Sequence, residues 1–212
     1  MNAGRSRSLP ATSGTLAHVD WGDGQGLPGA GLLPQRTTLT DGVIALRAPS
    51  LDDVEDYARS ATDPTIIDFT HVPLDFGRDG ATRFVVGACD EWEAGTKARF
   101  AVCRADSMSR LLGSISLVNI VWPNLSAELG YWVLPEARGQ RYAMRAVRLV
   151  QRWAFDVVGL ARIEAQVFDG NEASWHVLET CGFRVVAHQV VEHRGKNRGE
   201  RLLQLGRDEW RH

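Results

Sequence analysis

One stretch combines chemically capable residue types at a meaningful spacing. It is Arg138-Gly139-Gln140-Arg141-Tyr142-Ala143, which opens a helical pattern just after the strand-like Ala127-Glu128-Leu129-Gly130-Tyr131-Trp132-Val133-Leu134. The first N–H groups of a helix lack intrahelical partners and lie at the positive end of its dipole. A loop entering a helix is therefore a ready site for a phosphate or diphosphate. The run contains neither G-x-x-x-x-G-K-[ST] nor G-x-G-x-x-G, which excludes a triphosphate loop and a dinucleotide turn of those kinds. On these residues alone two readings of Gly139 stay open: it bares the backbone to an anion, or it eases a strand-to-helix turn.

The hydrophobic pattern sets out the elements that must hold this loop. Val43 to Arg47 reads as a strand after the turn signal Thr40-Asp41-Gly42. Ser50, with Asp53 three residues on, caps a helix through Arg59, and a second helical pattern runs from about Asp79 to Ala94. Ala98–Arg104, Leu111–Ile120 and Ser126–Leu134 follow as three strands joined by short turns, which predicts an antiparallel meander. Ala143, Ala146, Val147, Val150, Trp153, Ala154 and Val157 form one stripe of a helix from about Gly139 to Val158. Then come a strand Ile163–Phe168, a short helix Asn171–Cys181 ended by Gly182, and strands Arg184–Glu192 and Glu200–Leu205 joined through Arg194 to Gly199. The fold class expected is α/β (α+β): a mixed, mostly antiparallel twisted sheet flanked by helices.

Residues 1–40 differ from the rest. They are rich in Gly, Pro, Ser and Thr and form either a mobile extension or an arm that packs through Leu16, Val19, Trp21 and Leu32-Leu33. Residues 41–212 are long enough for one domain with a sizeable core. A net charge of -2 without long charge runs gives no reason to expect a nucleic-acid partner. No apolar run approaches the roughly 20 residues of a membrane helix, and Arg5 and Arg7 are followed by no apolar segment of a secretory signal. A cytoplasmic protein is expected. Cys89, Cys103 and Cys181 form no C-x-x-C pair and suit neither zinc nor a disulfide framework, so no metal is expected. Cys103 and Cys181 read as small core residues in a reducing compartment; Cys181 has no base beside it in sequence to make it a nucleophile.

Arg138-Gly139-Gln140-Arg141-Tyr142-Ala143 resembles the acetyl-CoA signature of the GNAT superfamily of N-acetyltransferases, Arg/Gln-x-x-Gly-x-Gly/Ala at the start of a helix after the fourth strand. Asn171-Glu172-Ala173-Ser174 through Gly182-Phe183 is similar to the family's Asn-x-x-Ser/Ala…Gly-Phe. Trp153-Ala154-Phe155 and Gly159 to Ala165 resemble the RimJ/RimL branch, which acetylates ribosomal-protein N-termini. The resemblance covers about residues 40 to 207. It implies a single GNAT-like domain whose fourth and fifth strands splay apart, with acetyl-CoA as co-substrate and a primary amine as acceptor, either a protein N-terminus or a small molecule. A homodimer stays open. Two other functions stay open as well: an acyl-CoA-binding module without catalysis, and a transferase of longer acyl groups.

The resemblance also implies roles. The diphosphate would rest on Arg138, Gly139, Gln140, Arg141, Tyr142 and Ala143. The pantetheine arm would bond the backbone of Tyr131, Trp132 and Val133, with the Val133 N–H as oxyanion donor. Asn171 would hold the arm from the other side, cap the following helix, or do both. Glu128 would take the ammonium proton; its alternative is a strand glutamate facing solvent or an ion pair. Many family members carry a tyrosine seven residues after the asparagine, where this chain has Leu178. Ser174, one turn earlier, is the substitute acid, or simply a first-turn serine. The family most often has glycine at Arg141, whose side chain would either crowd the diphosphate or reach it with a fixed fork of donors. His71 and Trp122 are the candidate acceptor-side residues, and each has a packing role as its alternative, as does His176.

Overall fold

The computed structural model describes residues 31–210. Leu16, Val19 and Trp21, proposed above as packing residues of an arm, lie outside the described residues. The strands are β1 (Leu39–Thr40), β2 (Ile44–Arg47), β3 (Ala98–Arg104), β4 (Gly113–Val121), β5 (Ser126–Val133), β6 (Arg162–Phe168), β7 (Arg184–His193) and β8 (Lys196–Gly206). The helices are α1 (Val54–Ser60), α2 (Pro64–Phe69), α3 (Gly77–Glu93), α4 (Tyr142–Arg152) and α5 (Glu172–Thr180). The eight strands make one sheet in the order β1-β2-β3-β4-β5-β6-β8-β7, antiparallel except for β5 beside β6.

That parallel pair is short. Its register runs from Ser126 opposite Arg162 to Leu129 opposite Ala165 and stops, while β5 continues to Val133 along β4. The sheet therefore splits between β5 and β6, as the resemblance implies. These are the fourth and fifth strands counted from β2, because the two-residue β1 adds an edge that the sequence pattern did not reveal.

Both faces of the sheet are covered, which is why β3 is buried nearly throughout rather than alternately. On one face Phe100, Ile115, Leu117, Leu129, Ile163 and Ala165 pack with α4 residues Ala146, Val147 and Val150. On the other, Ala101 and Leu111 meet Val54 and Tyr57 of α1 and Ala81 and Val85 of α3. α4 lies on the first face because its apolar positions recur at three and four residues, with Arg148 and Arg152 turned outward. Its pattern continues beyond Arg152, but Trp153–Val158 widens into a π-helical turn. Trp153, Ala154 and Phe155 are all buried in succession there, which a single α-helical stripe does not permit. Trp153 packs tilted against Trp92 and edge-on to Phe100, ring centroids 5.3 and 5.4 Å away.

Two further differences from the sequence pattern bear on the site. α2 was not expected; Asp63 accepts from the Ile66 N–H at its start and Pro64 occupies the first helical turn. The β7–β8 connection is tighter than the six residues foreseen, with only Arg194 and Gly195 between the strands, both at positive φ. Within residues 31–40, Leu33 and Leu39 pack on the main core. The Trp92 indole donates to the Pro34 carbonyl at 2.9 Å. No helix among the described residues is long and apolar enough to cross a membrane.

Candidate active site

The split in the sheet opens a cavity of about 610 Å³ that passes from one face to the other. It brings together Glu128, Tyr131, Trp132, Val133, Arg138, Gly139, Arg141, Tyr142, Ala143, Asn171, Ser174 and His71 from the residues singled out by sequence. It does not bring in Gln140, whose side chain donates to the Glu136 carbonyl. Nor does it bring in Trp122, whose indole donates at 2.8 Å to the Gly95 carbonyl beside Gly31. Trp122 braces the end of α3 and does not wall this cavity.

At one mouth stands the loop into α4. Arg141 is the N-cap and makes no side-chain capping bond, so the first-turn N–H groups have no capping side chain to accept from them. Gly139 has φ 76°, and nothing lies within 4 Å of where its Cβ would stand. Arg141 itself sits at φ 60°, in the left-handed region. The family's usual glycine here thus has a backbone reason, and this chain keeps the conformation with a side chain that is uncommon in it. Arg138 anchors the loop: Nε donates to the Val133 carbonyl at 3.2 Å and a terminal nitrogen pairs with Asp63 at 2.6 Å. Burial pushes the Asp63 carboxyl up, but bonds from Arg138 and the Ile66 N–H outweigh it and hold it below the usual range.

β5 supplies the middle of the cavity. The Leu134 N–H bonds the Leu112 carbonyl, so in this antiparallel register Trp132 and Gly130 turn their backbone groups to β4. Tyr131 and Val133 turn theirs into the split. The expectation that Trp132 also offers its backbone there is corrected by this alternation; it contributes its indole instead, edge-on to Tyr57 at 5.7 Å. The Tyr131 side chain crosses the split, and its hydroxyl lies 2.9 Å from Ser174 Oγ. Burial raises the Tyr131 phenol, only partly offset by its bond with Ser174, so it is protonated at neutral pH. No sequence signal links Tyr131 to Ser174, which are 43 residues apart. Asn171 caps α5 through its side-chain oxygen, which accepts from the Ser174 N–H at 3.2 Å.

At the far end Glu128 lies on the opposite face of β5, half-buried. Its Oε2 accepts from Asn119 Nδ2 at 2.9 Å. Asn119 reaches it because β4 bulges between Val118 and Val121, with Asn119 at φ 49°. Asparagine tolerates that conformation better than most residues, the one hint its sequence position carried. Beside Glu128 the cavity is walled by α2 and by His71, whose ring sits 5.7 Å from Phe168 and 5.4 Å from His193. His176, on α5, also lines the cavity. Cys181 is buried and its thiol is pushed up by burial, with Arg148 opposing, so its environment does not favour a thiolate. Among the described residues no three His, Cys, Asp or Glu side chains are grouped to hold a metal ion.

A half-split mixed sheet, with an uncapped helix start and a carboxylate both lining the opening, defines a distinct class of α/β fold. Residues 44–184 match the family described as Acetyltransferase (GNAT) domain, and the chain belongs to that family. It is 30% identical over 94 residues to spermidine N(1)-acetyltransferase of Vibrio cholerae, a match covering 44% of this chain and 53% of that protein. The chain spans about half the length of the curated relatives it matches. Among solved structures it resembles Mycobacterium smegmatis RimJ in complex with CoA-disulfide, with TM-score 0.72 and 24% identity over 84% of this chain and 90% of that one. It also resembles spermidine N-acetyltransferase from Vibrio cholerae in complex with CoA and spermine, with TM-score 0.70 and 20% identity over 80% and 98%. At these identities the structural likeness speaks to the fold.

Proposed function

We propose that the chain transfers the acetyl group of acetyl-CoA to a primary amine by direct attack in a ternary complex. The observation that carries this is the single cavity joining the α4 entrance to Glu128 through the split sheet. The residues present suit the coenzyme. The uncapped start of α4 and Arg141 suit a diphosphate. The inward amides of Tyr131 and Val133 suit the two amide groups of a pantetheine arm lying along β5, and the amide nitrogen of Asn171, whose oxygen is committed to capping, remains to donate. Acetyl-CoA supplies an acetyl thioester, activated toward nucleophiles.

Glu128, held by Asn119, removes a proton from the incoming ammonium, directly or through a water. The Val133 N–H faces the split, where it stabilises negative charge on the carbonyl oxygen as the new N–C bond forms. As the C–S bond breaks, Ser174 Oγ, accepting a hydrogen bond from the neutral Tyr131 hydroxyl, gives its proton to the departing sulfur and recovers one from the amine nitrogen, which sheds its second proton as the amide forms. That pair stands in for the helix tyrosine replaced by Leu178. His71 walls the acceptor side.

Isothermal calorimetry of the purified chain with coenzyme A, paired with thiol release from acetyl-CoA over an amine panel, tests the reading. Glu128→Gln is expected to lower kcat by about 10²- to 10⁴-fold at neutral pH with coenzyme affinity kept. Heat of binding without thiol release would leave a binding module, and faster release from propionyl- or succinyl-CoA would move the assignment to a longer acyl group.

A further inference from the structure

The acceptor end of the cavity differs in character from the coenzyme end. Glu128 is the only carboxylate lining the cavity among the described residues. Facing it, Ile66 and Phe69 of α2, Phe84 of α3, Trp132 of β5 and Phe168 of β6 supply apolar and aromatic surface. The neighbouring carboxylates are already committed: Glu164, opposite Glu128 in the β5–β6 register, pairs with Arg162 at 2.8 Å, and those at the start of α2 and within it are paired as well. Asp63 pairs with Arg138 at 2.6 Å, and Asp68 with Arg198 at 3.0 Å. Arg198 also lies over the Phe69 and Phe168 rings, 4.6 and 5.0 Å from their centroids. Arg194 donates to the carbonyls of Ile67, Thr70 and Val72, the segment that carries His71. The β7–β8 turn thus clamps α2 and the chain after it with two guanidinium groups; the charge of Arg198 is met by Asp68, while that of Arg194, held by carbonyls, gives this rim its cationic character.

We infer that the acceptor is a primary amine with one positive charge on an apolar, aromatic-sized skeleton, and that polycationic amines are poor acceptors. This rests on the transfer function proposed above. One carboxylate can pair with one ammonium. A second ammonium entering among the aromatic rings would lose hydration with no uncommitted carboxylate to meet it, and one left at the rim would meet Arg194. An apolar skeleton loses nothing on entry and gains contact with the aromatic wall. The same chemistry is presented by a free arylalkylamine and by a peptide whose first residue is apolar.

The full chain should be assayed for thiol release with acetyl-CoA and three acceptors: phenethylamine, a tripeptide beginning with Phe, and spermidine. The kcat/KM for phenethylamine or the tripeptide is expected to exceed that for spermidine by about a hundredfold; which of the two leads identifies the source. Spermidine equal to or better than both overturns the acceptor inference while leaving acetyl transfer standing. Release with none of the three or with any other amine, despite coenzyme binding, overturns the transfer function and this inference together. Gln166→Glu adds a second carboxylate in the cavity at nearly constant volume. It is expected to raise the spermidine-to-phenethylamine ratio of kcat/KM by about tenfold; an unchanged ratio refutes the argument from the single carboxylate.

Discussion

Arg141→Gly separates two contributions of one residue. Arg141 holds φ 60°, where a side chain costs about 1–2 kcal/mol relative to glycine. Glycine returns about 0.4–1 kcal/mol of that through the greater freedom of the unfolded chain. The net is a stabilisation of about 0.5–1 kcal/mol, which for a domain of this size raises Tm by about 1–4 °C. The side chain is exposed at the cavity mouth, so its attraction to a diphosphate is that of a solvent-screened pair, about 0.3–1 kcal/mol. Coenzyme A affinity should therefore weaken by no more than about fivefold, with a shallower dependence on salt. Arg141→Ala is the control: it removes the charge but keeps Cβ, so its affinity should fall as in the glycine variant while its Tm stays near that of the parent. Differential scanning calorimetry without ligand and titration calorimetry with coenzyme A at two salt concentrations give both readouts. A lowered Tm for Arg141→Gly, or an equal rise for Arg141→Ala, would refute the strain argument.

Gly139→Asp places a side chain at φ 76° and a negative charge where the diphosphate is proposed to sit. Its coenzyme A affinity should drop by at least about tenfold, and more than that of Gly139→Ala, measured by calorimetry. Ser174→Ala and Tyr131→Phe each break the hydroxyl pair; kcat should fall, the double variant should fall less than the product of the two, and equal additivity would show that they do not act as a unit. His193 is buried, and burial, with His71, Arg194 and Arg198 nearby, lowers its affinity for a proton against the opposing pull of Asp68. The unfolded chain then binds the proton more readily, so stability is complete above about pH 6.5 and declines as pH falls through the lowered folded value. Tm measured from pH 7.5 to 5 should show this decline, and His193→Phe should reduce it.

The elements that build the site were largely legible because they are long and periodic. The meander β3–β5, the stripe of α4 and the Asn171 cap of α5 each follow from local residue order. What was hidden depends on contacts between distant segments. The Asn119–Glu128 bond requires a bulge, and alternation of apolar residues in β4 does not announce one. The Tyr131–Ser174 contact requires the split sheet to be assembled. α2 did carry a local signature, Asp63-Pro64, but six residues are too few for periodicity to register. The π-turn at Trp153–Val158 is the reverse case: the sequence showed the apolar residues, and only packing three consecutive ones inward reveals the wider turn. Trp122 lies in a plausible place along the chain but folds back over Gly95, where its indole has a carbonyl to satisfy.

Because β5 and β6 share only the pairs from Ser126–Arg162 to Leu129–Ala165, the sheet is in effect two leaves joined along a short spine. A ligand lying between them would act as a strut, bonded to Tyr131 and Val133 on one leaf and to α5, which follows β6, on the other. Saturating such a strut at a hundred times its dissociation constant adds about 2.7 kcal/mol to the cohesion of the whole domain. The amides near the end of the spine are where that bracing would register first as slowed exchange with solvent.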